Sequence, residues 1–208
     1  MSHSWWYLSR AGGVVAWALL SASVIWGLLL STRVFDRKPS PKWFTDLHRF
    51  LGGTAVVIVA VHVGTIVADS YVHFGAADVL VPFASRWHPI ATAWGVLAMW
   101  LMFAVEVSSL GMRLLSRRVW HAIHLSSYLL FASATVHALA SGPDTRTRAF
   151  ELALSAVLAV VSLLTLVRFT KSKRKGPTRI ASLHQARQPA VGEDLATGLT
   201  RRAVHDLV

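Results

Sequence analysis

Four histidines lie within two apolar stretches of the sequence at nearly matched spacings. His62 is the fourteenth residue after His48, and His137 is the thirteenth after His124. Fourteen residues of α-helix rise about 21 Å and return to within about 40° of the same face. An imidazole inside a bilayer is costly unless it has a partner, and haem iron binds one neutral imidazole on each side. Two such helices can hold two stacked haem centres.

The composition indicates a membrane protein. Of the 208 residues, 54% are hydrophobic and 15% are charged, which is too apolar for a soluble domain of this size. The chain contains no cysteine, which excludes disulfides, cysteine-ligated iron–sulfur clusters, thiolate haem ligation and covalent haem attachment. Any haem is therefore expected to be non-covalent and held by histidine. The formal net charge is +11, but the basic residues lie in short loops and in the tail, so we expect no nucleic-acid partner.

Five segments are long and apolar enough, or nearly so, to cross the hydrocarbon core of a bilayer. They predict an all-α integral membrane bundle with spans at residues 11–32, 48–68, 89–109, 120–140 and 150–169. Ser21-Ala22-Ser23 loosely resembles a signal-peptide cleavage site, but the apolar run continues through Leu30, so we expect the first span to be retained. Residues 1–10 are predicted as an external N-terminus. Residues 170–208 are predicted as a basic, largely disordered cytoplasmic tail with one short helix near 195–207.

Basic residues alternate between the predicted loops. They are dense after spans one, three and five, which the positive-inside rule assigns to the cytoplasm, with the N-terminus outside. We therefore expect a multi-pass protein of a bacterial plasma membrane. Spans two and four then run in the same direction, so His48 and His124 lie level near the inner face, and His62 and His137 lie level toward the outer face.

The spacing of the two histidines in span four predicts a local irregularity. Thirteen residues advance about 1300°, so an ideal helix would turn His137 about 140° away from the face of His124. A bulge, a bend or differently rotated haems would be required. His121 is an alternative inner ligand, but its separation of sixteen residues from His137 aligns no better.

The residues around the four histidines resemble a known family. Leu47-His48-Arg49 and Val61-His62-Val63 lie on the first ligand span, and the segment from Trp120 to Tyr128, followed by His137, lies on the second. This pairing resembles the ferric reductase and NADPH oxidase transmembrane domain superfamily, whose bundle carries two b haems with two histidine ligands each. It also resembles the haem-binding membrane subunit of the methionine sulfoxide reductase system. The resemblance covers residues 45–168 and implies ligand roles for His48, His62, His124 and His137.

The chain departs from the larger oxidases after Phe169. Only a short basic tail follows, without a Gly-x-Gly-x-x-Gly turn or room for a flavin and nicotinamide module. Electrons are therefore expected from a separate flavoprotein, a membrane quinol or a soluble reductase, and the sequence leaves these three open. By resemblance, the electrons would go to ferric ions or another external acceptor.

Several other residues near the histidines could either contact a haem or have an ordinary structural role. Gly52 follows His48 by four residues and could give porphyrin room, or could serve helix packing. Arg49, with Arg117 and Arg118, could pair with haem propionates, although membrane topology also explains them. Phe131 could fill the space between two haems or belong to an ordinary core. Glu106 is expected to pair with a loop arginine.

The sequence thus predicts a membrane cytochrome b that carries electrons through two haems between spans two and four. Because both axial positions are filled, electron transfer is favoured over oxygen activation at iron. No Ser-His-Asp set, P-loop or zinc-protease motif is present. One rival hypothesis is a histidine-lined proton or metal-ion transporter without haem. Another is a haem-binding scaffold subunit without turnover of its own.

Overall fold

The computed structural model describes residues 4–32, 42–69, 73–141 and 147–173, and its regular elements there are all helices. Five stretches are long and apolar enough to cross a membrane, which makes this an all-helical, multi-pass membrane protein. The fourth stretch consists of two helices, α5 and α6. The helices are α1 (Ser4–Thr32), α2 (Lys42–Ala68), α3 (Ala76–Leu80), α4 (Pro89–Leu110), α5 (Arg117–Leu125), α6 (Ser127–Ser141) and α7 (Arg148–Lys173).

The five predicted spans are confirmed, and most of the helices extend beyond them. Helix α1 begins at Ser4 rather than at residue 11, and α2 begins at Lys42 rather than at residue 48. The added turns carry Trp5, Trp6 and Trp43, a residue type that suits the interface between lipid and water. Helix α7 continues through Lys173, and the rest of the predicted tail, including its short helix, lies outside the described residues.

The chain divides into two compact units, residues 1–165 and residues 166–208. In the first unit α1 packs along α2, α4 packs along α6, and α1 also contacts α6. Gly13 of α1 lies against His62, whereas Gly27 lies against His48, so α1 and α2 run antiparallel. In the second unit, residues 166–173 form the last turns of α7.

Four helices meet in a central layer of apolar side chains. It consists of Leu20, Ala55, Ala98, Met102 and Leu130, from α1, α2, α4 and α6. Ala55 is seven residues from both His48 and His62, so the layer lies midway between the two histidine levels. Beside it, the indole nitrogen of Trp17 donates a hydrogen bond of 3.1 Å to Thr135 Oγ1 and joins α1 to α6. The two histidine levels are therefore separated by packed hydrocarbon.

Ser126 interrupts the fourth predicted span between its two histidines. Its backbone N–H donates to the carbonyl of Ile123 at 3.0 Å, and its hydroxyl donates to the same carbonyl at 2.6 Å. Helix α5 ends at Leu125 and α6 begins at Ser127. Serine back-bonding of this kind bends helices. The irregularity that the histidine spacing predicts is confirmed.

Phe131 belongs to an ordinary core. It is buried with Leu28 of α1 and Val161 of α7, while the neighbouring Leu130 occupies the central layer. The structure therefore supports the interpretation of Phe131 as a core residue.

Candidate functional site: two histidine pairs

The four histidines form two facing pairs at two levels of the bundle. The rings of His48 and His124 have centroids 6.1 Å apart with an interplanar angle of 76°. The rings of His62 and His137 have centroids 6.4 Å apart with an interplanar angle of 73°. In each pair one ring comes from α2 and the other from the α5–α6 stretch. This is the level pairing that the sequence predicts.

These separations suit a metal atom between the two rings. A metal–imidazole bond is about 2 Å long, so two imidazoles on opposite sides of one atom have ring centres about 6 Å apart. Both pairs match this value. In the described ranges no group of three or more potential metal ligands occurs, and haem iron needs only two protein ligands. The donor set therefore fits haem.

Backbone carbonyls orient both rings of the His62–His137 pair. Nδ1 of His62 lies 2.7 Å from the carbonyl oxygen of Ser9, and Nδ1 of His137 lies 2.8 Å from that of Ala91. A carbonyl oxygen can only accept, so each Nδ1 carries the hydrogen and donates it. The other ring nitrogen, Nε2, then keeps its lone pair. This is the arrangement that metal-binding histidines use.

A serine hydroxyl lies beside His48, and an aromatic ring lies beside His124. Nδ1 of His48 lies 3.3 Å from the hydroxyl oxygen of Ser23. The ring of His124 stacks on Trp120, with centroids 5.1 Å apart and an angle of 22°. Both residues lie on α5, whose first turn is capped by Ser116, which accepts from the N–H of Val119 at 3.3 Å.

Trp120 also has an unused donor. Its indole nitrogen is buried and has no hydrogen-bond partner among the residues that the structure describes. A buried N–H without an acceptor is costly, and a carboxylate of a bound haem would supply one.

The alternative ligand His121 is an exposed residue, and the structure places His124 rather than His121 opposite His48.

Three of the four rings lie directly against a glycine of a neighbouring helix. A Cβ atom at Gly13 would be 3.1 Å from His62 Cε1, and one at Gly27 would be 3.1 Å from His48 Cε1. A Cβ atom at Gly95 would be 2.7 Å from His137 Cε1 and Nδ1. These glycines were not predicted from the sequence. A signal existed, because Gly13 and Gly27 have the same spacing as His48 and His62.

A cavity of about 220 Å³ lies beside the His62–His137 pair. Its lining is mainly apolar and includes Leu20, Met102 and Leu130 of the central layer. Arg10 and His88 also line it. Ligand cavities in proteins commonly combine apolar walls with a few polar groups.

Gly52 and Arg49 remain predicted cofactor contacts. A Cβ atom at Gly52 would lie 2.5 Å from Oε1 of Glu106, so the carboxylate of Glu106 occupies the space above this glycine. Glu106 does not form the predicted pair with an arginine of the described ranges. The side chain of Arg49 is exposed beside His48.

A comparison of the chain with protein-family models, with curated proteins and with solved structures finds no match. The resemblance to the ferric reductase-like superfamily therefore stays a prediction, and the function must be argued from the geometry of the histidine pairs.

Proposed function

We propose that this protein is a membrane b-type cytochrome that carries electrons across the bilayer through two haems, each held by two histidines. His48 and His124 would hold the inner haem, and His62 and His137 the outer haem. The observation that carries the proposal is the pair of facing imidazoles, repeated at two levels with ring centroids 6.1 and 6.4 Å apart. Haem, when bound, supplies one-electron oxidation and reduction at its iron.

The chain's own residues support this role in three ways. The carbonyl acceptors at Ser9 and Ala91 leave Nε2 of both outer imidazoles available to iron. The glycines let three of the rings lie close to neighbouring helices. The central layer places apolar side chains from four helices between the two levels.

The proposed topology has the N-terminus outside and the C-terminus in the cytoplasm of a bacterial plasma membrane, because the basic residues cluster accordingly. A separate flavoprotein or a quinol would donate electrons, and an external acceptor such as ferric ions would take them. The protein would then be the membrane subunit of an oxidoreductase.

Spectroscopy of the purified chain tests the proposal. In detergent, the reduced-minus-oxidised spectrum should show sharp low-spin b-type bands, and a pyridine haemochrome assay should give about two haems per chain. His121→Ala is the matched control, because this residue neighbours the inner pair without facing it, and it should keep both haems. A folded protein that takes up no haem when haem is supplied during expression would contradict the proposal and favour the histidine-lined transporter.

A further inference from the structure

Helix α1 contains a short repeat that matches the histidines of α2. Ser9 and Gly13 are four residues apart, as are Ser23 and Gly27, and the second motif follows the first by fourteen residues. The spacing equals that of His48 and His62. Because the two helices are antiparallel, the first motif meets His62 and the second meets His48.

Each motif contacts its imidazole in two ways. The serine lies beside Nδ1: the hydroxyl oxygens of Ser9 and Ser23 lie 3.3 Å from Nδ1 of His62 and of His48, and the carbonyl of Ser9 also accepts from His62 at 2.7 Å. The glycine lies beneath the ring, where a Cβ atom would come within 3.1 Å of Cε1. That separation is shorter than ordinary contact, so the ring would have to shift by a few tenths of an ångström to admit a larger residue. One contact fixes which nitrogen carries the hydrogen, and the other fixes how the ring is turned.

We propose that α1 is the positioning helix of both haem sites, and that its two Ser-x3-Gly motifs fix how the rings of His48 and His62 are turned. The proposal rests on the proposed function and adds which helix positions its ligands. Ser9, Gly13, Ser23 and Gly27 are positioning residues that act through His62 and His48.

Single glycine substitutions test the positioning role in the full chain with both haems bound. Gly13→Ala should alter the electron paramagnetic resonance signal and the midpoint potential of the outer haem alone, and Gly27→Ala those of the inner haem alone. Gly53→Ala and Gly64→Ala are matched controls, because a Cβ atom at either position meets no atom within 4 Å. The controls carry the same gain in helix propensity and should leave both haems unchanged.

Ser23→Ala is a milder second variant, which keeps the inner haem but removes the hydroxyl beside Nδ1 of His48. It should shift the potential of the inner haem without moving that of the outer haem. If Gly13→Ala and Gly27→Ala behave like the controls, or if Ser23→Ala leaves the inner potential unchanged, α1 does not position the ligands. In these outcomes the wild type still holds two haems, whereas a wild type without haem would overturn the proposed function itself.

Discussion

The two histidine pairs have similar geometry but are supported by different parts of the chain. In the His62–His137 pair, both rings donate to backbone carbonyls and both lie on glycines. In the His48–His124 pair, the ring of His48 lies on Gly27 beside the hydroxyl of Ser23, and the ring of His124 stacks on Trp120. A main-chain acceptor persists whatever side chain is substituted, whereas an indole ring can be removed. The ring of His124 should therefore be the easier one to disturb by mutation.

The largest effect is expected when a histidine ligand is replaced, because each replacement should remove one haem and leave the other. His62→Ala and His137→Ala should remove the same spectral species, and His48→Ala and His124→Ala the other, because each haem needs both of its ligands. In each variant the haem content should fall from about two to about one per chain in the haemochrome assay. Losses that pair His48 with His137, or that remove both haems at once, would contradict the level arrangement.

Gly95→Ala should lower the content of the outer haem nearly as much as replacement of a histidine ligand does. The added Cβ atom would lie 2.7 Å from two atoms of the His137 ring, and the ring cannot move away while it donates to Ala91. We expect loss of most of the outer haem, with the inner haem retained, as measured by the amplitude of each low-spin species. Gly64→Ala again serves as the control. Full retention of the outer haem would show that the ring has more freedom than the structure gives it.

Substitutions of Trp120 should have an intermediate effect, and that effect should fall on the His48–His124 pair. Trp120→Phe keeps an aromatic ring beside His124 but removes the buried N–H, whereas Trp120→Leu removes both. If the ring packing holds His124, the leucine variant should broaden the inner haem signal, and the phenylalanine variant should shift only its midpoint potential. A redox titration of each variant checks this. Equal effects on both haems would argue against a local role.

The smallest effect is expected from the contact that joins α1 to α6. Trp17→Phe removes its hydrogen bond to Thr135, and such bonds between membrane helices contribute about 0.6 kcal/mol on average. Thermal unfolding in detergent should show a correspondingly small loss, with both haems kept. Loss of either haem in this variant would mean that the α1–α6 contact supports a site directly.

Much of the fold follows from the sequence, since the apolar runs predict all five spans and the alignment of His48 with His62 follows from helical periodicity. The interruption at Ser126 agrees with the predicted irregularity, because an ideal helix would turn His137 about 140° away from the face of His124. The exact position of the break was not predictable, since serine bends a helix only in some contexts.

The glycines that lie against the histidine rings were not predicted from the sequence. Gly13 and Gly27 look like ordinary packing residues until α1 is placed antiparallel to α2, because their function depends on register between two helices. Gly95 has no matching partner on its helix to reveal it. The contact of the Glu106 carboxylate with Gly52 was not predicted either, because it depends on how α2 and α4 approach each other.

The layer formed by Leu20, Ala55, Ala98, Met102 and Leu130 has an electrical consequence. Hydrocarbon polarises weakly, so the voltage across a membrane falls over its whole apolar thickness, of which this layer is a part. An electron that passes between the two levels of the proposed cytochrome would move through part of that drop, and a full crossing corresponds to about 2.3 kcal/mol for each 100 mV. A membrane voltage would thereby speed transfer in one direction and slow it in the other.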